Sequence, residues 1–268
     1  MPKKSLRNRL MNYKYYYTHG LFDLTRRREK GVLERVTPSS LRTVPSDALV
    51  PQDSLILVSA IYPVASDVQE ELIPLDEKNA IASMAEPSLR RLMAASEAAC
   101  GEKILFTSTY RTLDFQASIF GVNPFAAKPG ESEHHSGLCA DIKVDGYAQR
   151  RFIMSKTGKW MARNAHRFGF VIRYPLWAEK RTGVDYEPWH LRYVGEPHAE
   201  ILYRMKLCLE DYLAQFELGG FYRFGEYVIS RQSGETLTFP WDGTQELFVS
   251  ADTRGGRIIW GKAPAFLS

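Results

Sequence analysis

The sequence predicts an α+β fold with a smaller β-rich unit behind it. Three observations carry that expectation. Stretches with helical spacing of apolar residues are interleaved with short β-prone runs, without the regular period of a repeating strand–helix array. The hydrophobic fraction of 44% and charged fraction of 25% are globular values that argue against a disordered or fibrous chain. Finally, eight of the nineteen glycines fall in the last 51 residues, 218–268, marking a change of texture at Gly219. At 268 residues the chain has room for one full domain and something smaller, taking ~150 residues as a typical domain.

The elements follow in chain order. Leu55 to Ser59 (LILVS) is a short apolar run expected as a strand. Glu86 to Cys100 reads as a helix, with Leu89, Leu92, Met93, Ser96 and Cys100 on one stripe, Pro87 in its first turn and Gly101 closing it. Lys103 to Thr107 (KILFT) is a second strand, and Leu113 to Phe120 a short helix with Asp114 near its start. A Pro/Gly loop over 123–131 leads into SEHHSGLCADIKVDG, read as a loop or helix end followed by a strand. A helix from about Lys159 to Phe168 stops at Gly169, where a left-handed residue costs least, and Phe170 to Tyr174 follows as a strand. The last helix is expected over Pro197 to Phe216. Strand-like pieces at 222–231, 235–240, 246–250 and 257–260 make a β-meander without His or Cys. The expected division is a basic extension over 1–45, a main domain over 46–217 and a β-rich module over 218–268.

Charge is uneven along the chain. Residues 1–31 hold nine Lys or Arg against Asp23 and Glu29, a net of +7, while the whole chain carries +4, so the remainder is at −3. A uniformly basic, nucleic-acid-binding body is thereby excluded, and contact with an anionic surface is expected only of the arm. Tyr15, Tyr16 and Tyr17 could pack that arm on the body. Cys100, Cys139 and Cys208 are too few and too widely spaced for a disulfide framework. No run reaches the ~18 apolar residues of a membrane span. The basic start lacks the apolar stretch of a signal peptide, so no export route is visible.

Chemistry concentrates between 134 and 190, which hold four of the six histidines. In Ser132-Glu133-His134-His135-Ser136-Gly137-Leu138-Cys139-Ala140-Asp141, a loop can bring an imidazole and a carboxylate together at a strand edge. In Glu187-Pro188-Trp189-His190, Pro188 holds Glu187 extended, so this is no helical zinc motif, and Glu187 and His190 share a face only if the chain bends. Two neutral imidazoles and one carboxylate leave a bound Zn2+ positive, with a fourth position for an acidified water. His134, Asp141 and His190 fit such ligand roles with Glu187 as base; the alternative for each histidine is a solvated surface side chain. His166 and His198 read as structural or solvated, His19 as part of the extension, and Arg192 as either a partner of the site or a surface charge.

STYRTLDFQ, SEHHSGLCADI and EPWHLRYVG, in this order, resemble the YRxxxxQ, SxHxxGxAxD and ExxH motifs of the VanY-type D-alanyl-D-alanine carboxypeptidases, zinc peptidases of family M15. The similarity extends over about Leu55 to Phe216. It implies a hedgehog/D-Ala-D-Ala peptidase-like α+β fold, with a small antiparallel sheet and flanking helices around a zinc site. Further, it implies zinc on His134, Asp141 and His190, Glu187 as general base, and Arg111 binding the substrate and the developing oxyanion. Gln116 and Ser132 belong to the implied substrate site, with Trp189 a candidate pocket wall. Two departures stand out: Cys139 where the family commonly has a small residue such as Ala, and His135 where Gln is frequent, which makes a slip of ligand from His134 conceivable. His134 is preferred because it keeps the seven-residue step to Asp141.

The implied activity is zinc-dependent removal of the C-terminal D-Ala from peptidoglycan stem peptides, as a D,D- or L,D-carboxypeptidase acting as a monomer. The alternatives are a non-catalytic cell-wall peptide-binding protein and a D,D-dipeptidase acting on cytoplasmic precursors. A polymeric substrate would place the protein at the cell envelope, a soluble precursor in the cytoplasm.

Overall fold

The computed structural model describes residues 26–68, 71–123 and 126–263. Tyr15, Tyr16, Tyr17, His19 and most of the basic arm lie outside the described residues. Among the described residues no helix is long and apolar enough to cross a membrane. The three cysteines are free.

Strands are numbered in chain order; β4 (Leu72–Pro74) and β5 (Ala80–Ala82) form a separate antiparallel pair. The sheet that positions the chemistry has four antiparallel strands, in the order β6 (Leu105–Ser108), β7 (Cys139–Lys143), β9 (His190–Tyr193) and β8 (Phe170–Ile172). Side chains alternate across a pleated strand. Ala140, Ile142, Leu191 and Tyr193 therefore face one core, where they pack with Leu89 and Leu92 of the helix Glu86–Cys100 and with Phe152, Met161 and Phe170. Cys139, Asp141, His190 and Arg192 face the other way, with Cys139 paired to Arg192 and Asp141 to His190.

A second, six-stranded sheet runs β1 (Glu34–Val36), β10 (Phe221–Phe224), β11 (Tyr227–Gln232), β14 (Arg257–Lys262), β13 (Leu247–Ala251) and β3 (Leu49–Pro51), with only β13 and β3 parallel. Strands from residues 34–51 and from the C-terminal 50 residues thus share one sheet. Its one face buries Tyr222, Ile229, Ile258 and Trp260 against Leu202, Leu209, Tyr212 and Phe216. On the other face Phe221, Val228, Leu247 and Ile259 pack with Val44 and with Leu237 and Phe239, from the paired strands β2 (Arg42–Val44) and β12 (Leu237–Phe239).

Several expected elements change form. Leu55 to Ser59 is not a strand: a 3-10 turn over Asp53–Leu55 precedes it, and its amides find side-chain acceptors instead of a ladder. Leu55 N donates to Ser250 Oγ (3.1 Å) and Leu57 N to Thr253 Oγ1 (2.8 Å), which ties this buried segment to the large sheet. The expected helix over Pro197 to Phe216 is two, His198–Met205 and Leu209–Leu213. It breaks at Lys206, which is left-handed at φ +51°, and the break lets Leu202 and Met205 share a core with Leu209 and Tyr212. The piece at 222–231 is a hairpin turning at Gly225. The helix expected from Lys159 begins at Lys156, capped by Ser155, and its last turn, Ala165–Phe168, is 3-10. The helix Leu113–Phe120 has the expected bounds, with Asp114 in its first turn and Thr112 capping it by accepting from Phe115 N.

Gly169 ends the 3-10 turn at φ +77°, and a Cβ there would lie 2.9 Å from Tyr193 Cε2. Both the backbone and the close ring require glycine. We expect Gly169→Ala to lower unfolding free energy by about 1–3 kcal/mol, read as a lower urea midpoint at unchanged slope.

Candidate metal centre

The site is built on one row of the four-stranded sheet. Ser108, Asp141 and His190 are register partners across β6, β7 and β9, so their side chains rise from the same face. Asp141 Oδ1 lies 2.8 Å from His190 Nδ1. His134 comes from the 3-10 turn Glu133–Ser136 that enters β7, and its Nε2 lies 3.3 Å from Asp141 Oδ2. Gly137, left-handed at φ +67°, turns the chain from that 3-10 segment into the strand, and a Cβ on it would meet Leu72 at 3.1 Å.

Each imidazole is held from behind. His134 Nδ1 hydrogen-bonds the Thr109 carbonyl, which directs its Nε2 toward Asp141. His190 presents Nδ1 to Asp141, while its Nε2 faces Glu133 Oε2 at 3.6 Å. His135 is turned elsewhere: its Nδ1 donates to the Arg111 carbonyl (2.8 Å) and its Nε2 accepts from Gly130 N (3.1 Å). Both its nitrogens are used, so of the two adjacent histidines it is His134 whose free nitrogen faces Asp141 and His190.

Glu187 reaches the same place through a turn. His190 N donates to Glu187 O (3.1 Å), and this bend brings Glu187 Oε2 to 3.7 Å from His190 Nδ1. Arg111 also reaches Asp141, with Nη2 3.6 Å from Oδ2. Its Nε donates to Ser108 Oγ (2.7 Å) and its Nη1 to Gln116 Oε1 (3.1 Å). Gln116 is fully buried and anchored in turn, donating to the Ala127 carbonyl (2.7 Å). Ser132 is buried at the start of the His134 turn. Trp189 is partly buried against the core beneath the sheet, and its carbonyl accepts from Ile142 N.

The electrostatics are those of a tight cluster of opposite charges. Burial opposes charge on His134, but Cys139 and Asp141 outweigh it and lift the imidazole to about 9; the same groups raise His190 well above its ordinary range. Burial likewise opposes ionisation of Cys139 and Asp141, and the two imidazoles outweigh it, taking the thiol down to about 6 and holding the Asp141 carboxyl far below its usual value. Glu187 goes the other way. Its burial raises the carboxyl to about 7, opposed by His190 and helped by Asp141. A carboxylate poised there can both accept and release a proton near neutrality.

The donor set fits a zinc ion. The two oxygens of Asp141 face one imidazole nitrogen each, Oδ1 2.8 Å from His190 Nδ1 and Oδ2 3.3 Å from His134 Nε2, in a buried cluster. Two imidazole nitrogens and a carboxylate converging in this way are a donor set that a divalent cation can share. Donors at zinc bond lengths sit about 3.3 Å apart on a tetrahedron, close to the 3.3 Å and 2.8 Å separations of this site. His134, Cys139 and His190 also offer ligand atoms within 4.8 Å of one another, all three residues buried.

One group central to the site is absent from the sequence-based candidates. Glu133 is fully buried, and its Oε1 accepts from both Arg173 Nε (2.6 Å) and Arg192 Nη1 (2.9 Å). Those charges outweigh burial and depress its carboxyl strongly. Arg173 in the apolar run FVIRY was the available signal, since a charge on an inward position of a buried strand requires a partner. Arg192 is a buried partner of the site, not a surface charge. His166 stacks on Tyr203, with centroids 3.7 Å apart. His198 bonds Tyr212 Oη and abuts Trp260, remote from this cluster in the large-sheet core.

Comparison with known proteins agrees with this geometry. The VanY family profile, described as D-alanyl-D-alanine carboxypeptidase, matches residues 78–196. A D-alanyl-D-alanine carboxypeptidase of Enterococcus faecalis is 33% identical over 202 residues, 68% of this chain and 74% of that protein. The crystal structure of a mutant of the vancomycin-resistance D,D-pentapeptidase VanY from a VanB-type resistance cassette, in complex with Zn(II), aligns at TM-score 0.53 and 34% identity, over 60% of this chain and 99% of that one. The LD-carboxypeptidase LdcB aligns at TM-score 0.50 and 33% identity, over 59% and 80% respectively.

Removing the Glu133 charge leaves two buried guanidiniums short of a partner. Glu133→Gln is therefore expected to cost about 3–5 kcal/mol in denaturant unfolding. The folded-state value of Glu133 lies below its ordinary 4.5, so its stabilisation is present above pH 4.5 and lost as the pH falls toward the folded value. Wild-type stability should fall steeply below pH 4.5, and the slope should be shallower in the variant.

Proposed function

Because the chain belongs to the VanY D-alanyl-D-alanine carboxypeptidase family, we propose that it removes the C-terminal D-Ala from peptidoglycan stem peptides, as a zinc-dependent D,D- or L,D-carboxypeptidase. The observation that carries this reading is the convergence of His134 Nε2, Asp141 and His190 Nδ1 on one point, with the Glu187 carboxylate 3.7 Å beyond. His134, Asp141 and His190 would hold the zinc. Bound there, the ion supplies Lewis acidity toward a carbonyl and an acidified water.

The remaining work falls to the chain's own groups. Glu187 takes the proton of the attacking water and delivers it to the leaving amine nitrogen, a shuttle supported by its raised value of about 7. A bound cation next to it would draw that value down and favour the base form at the start of the cycle. Arg111 carries the charge and paired donors that a terminal carboxylate and an incipient oxyanion require. Its fork is kept in place by Ser108 and Gln116, so Gln116 acts on the substrate through Arg111. Ser132 is assigned to the substrate pocket on its place at the start of the turn that carries His134, whereas Trp189, the candidate pocket wall, packs on the core beneath the sheet and is not assigned to the pocket.

The net charge of +7 in residues 1–31 supports contact of this segment with an anionic surface, and the −3 of the remainder argues against a nucleic-acid-binding body. Removing residues 1–25, which takes away a net +4 of that +7, should leave peptide turnover unchanged and weaken binding to anionic phospholipid vesicles at low salt. Undiminished binding would transfer that role to the rest of the chain.

For the chemistry itself, Glu187→Ala should keep its zinc and lose about 10²–10⁴-fold in kcat, whereas His190→Ala should lose zinc on metal analysis. Wild-type turnover in Glu187→Ala would remove the base assignment. Mass spectrometry of stem tri-, tetra- and pentapeptides after incubation identifies the scissile bond. Loss of one alanine from the pentapeptide marks the D,D activity and loss from the tetrapeptide the L,D activity; release of the dipeptide D-Ala-D-Ala would overturn both.

A further inference from the structure

Positive charge in this chain is gathered in two places. Besides the arm, residues 149–178 hold seven Lys or Arg and no acidic residue. Residues 32–268 sum to −3, so those outside 149–178 carry −10 and the body is strongly polarised. Of the seven cations, Arg173 is buried on Glu133 and Arg150 is paired with Asp185. Four others lie on the helix Lys156–Asn164 and its 3-10 continuation Ala165–Phe168. At 3.6 residues per turn, Lys156, Lys159, Trp160, Arg163 and Arg167 fall on one stripe, opposite the buried Thr157, Met161 and Ala165. Lys156, Arg163 and Arg167 are exposed and Lys159 is half-buried. Among the described residues Lys156, Lys159 and Arg167 enter no ion pair, whereas Arg150 and Arg181 pair with Asp185 and Asp211. The Glu102 carboxylate, beside Lys156, is taken up by Thr157 N at the helix start (2.8 Å).

The end of the arm joins this stripe in space. Arg26 lies over the Tyr203 ring, 4.1 Å from its centroid, and donates to the Tyr203 carbonyl, while His166 stacks on the same ring at 3.7 Å between centroids. His166 sits between Arg163 and Arg167 in the chain, so Arg26 and the exposed Arg27, Arg28 and Lys30 set out from beside the helical row. Glu29 is spent on Arg204 (2.8 Å).

We propose that the outer row of the helix Lys156–Asn164, continued by Arg167 and joined by residues 26–30, is a docking face for an anionic phospholipid bilayer. This extends the surface contact proposed above for the arm to a fixed face of the body. Two features favour a bilayer over a linear polyanion. The cations come from two separate segments, and so cover an area. Half-buried Trp160 stands in the row with Phe168 beside it (6.0 Å between centroids), as aromatic rings do at the level of lipid headgroups. The face also has a direction. Met161 and Ala165 pack with Ala140, Ile142 and Leu191, on the side of the four-stranded sheet opposite to Asp141 and His190. A bilayer docked on the outer row of the helix therefore leaves the metal centre facing away from the lipid.

The test is co-sedimentation of the full chain with vesicles of phosphatidylglycerol and phosphatidylcholine in equal parts, at low salt. The wild type should bind, be released as salt rises, and ignore pure phosphatidylcholine. The triple variant Lys159→Glu, Arg163→Glu, Arg167→Glu should bind at least about tenfold more weakly, since each Lys or Arg near an anionic bilayer is worth about fivefold. Equal binding by this variant overturns the proposal, and weakening by removal of residues 1–25 alone would then keep the contact with the arm. Weakened binding in the variant with undiminished binding after that removal supports the face and drops the arm. Tighter binding of the wild type to duplex DNA than to the vesicles in the same buffer also overturns the proposal, and assigns the row to nucleic acid. If the triple variant does not fold by circular dichroism, Lys159→Gln, Arg163→Gln, Arg167→Gln takes its place. Turnover of a soluble stem pentapeptide should be equal for vesicle-bound and free wild type, and its loss on binding overturns the outward direction of the site. Vesicle binding itself needs no turnover, so its outcome is separate from that of the peptidase reading.

Discussion

The interaction on which the site depends is the burial of Glu133 between Arg173 and Arg192. A carboxylate with no solvent exposure is tolerable only with compensating charge, and here two guanidiniums converge on one oxygen. That choice constrains everything around it. Arg173 is itself paired by both oxygens of Glu210 at 2.9 and 2.6 Å, which fastens β8 to the start of the helix Leu209–Leu213. Arg192 reaches the carbonyls of Ser54 and Ile56, fastening β9 to the buried segment that leads out of β3. With the second oxygen of Glu133 left to face His190 Nε2, the network ends on the imidazole whose other nitrogen points at Asp141. Buried ion pairs are weak sources of net stability, so the gain here is a fixed orientation of His190.

Orientation is also what the backbone supplies on the His134 side. The turn Glu133–Ser136 is pinned at three points: Arg111 N donates to the His134 carbonyl, His135 Nδ1 to the Arg111 carbonyl, and Ala82 N to the Gly137 carbonyl. His134 and Arg111 therefore cannot move independently. The same segment that presents a metal-binding nitrogen sets the height of the guanidinium above Asp141. Adjacent histidines in the sequence have opposite duties, one facing the cluster and the other serving as a bolt in this local lattice.

How much of this was legible in the sequence follows from the range of the forces involved. The motif residues His134, Asp141, Glu187, His190 and Arg111 could be singled out because their chemistry is local and their spacing is tied to a loop and a strand end. The helix Glu86–Cys100 was legible for the same reason, its apolar stripe, early proline and terminal Gly101 all being local signals. Glu133 was not, because its role exists only once Arg173 and Arg192, 40 and 59 residues away, arrive beside it. Leu55 to Ser59 looks like a strand to any local rule, yet hydroxyls of Ser250 and Thr253, almost 200 positions distant, take its amide hydrogens. The break at Lys206 is equally non-local, set by the sheet the two helices must share. Cys139 shows a third case, in which the residue was noticed as a departure and only the strand register gave it neighbours.

The tail sheet has its physical justification in those same long connections. Residues 218–268 contain no histidine or cysteine, and among the described residues of this range none contributes a side chain to the cluster. Yet β13 pairs with β3, and Ala251 N donates to Asp53 Oδ1 (2.8 Å), so the segment Asp53–Ile56 is held in place from the large sheet. The carbonyls that this segment offers are the ones Arg192 needs. Buried guanidinium donors cannot be left unmatched without a cost of several kcal/mol, and a loose segment could not provide acceptors of fixed position. The strands at the two ends of the described chain thus act on the site through a chain of contacts: large sheet to Asp53–Ile56, to Arg192, to Glu133, to His190.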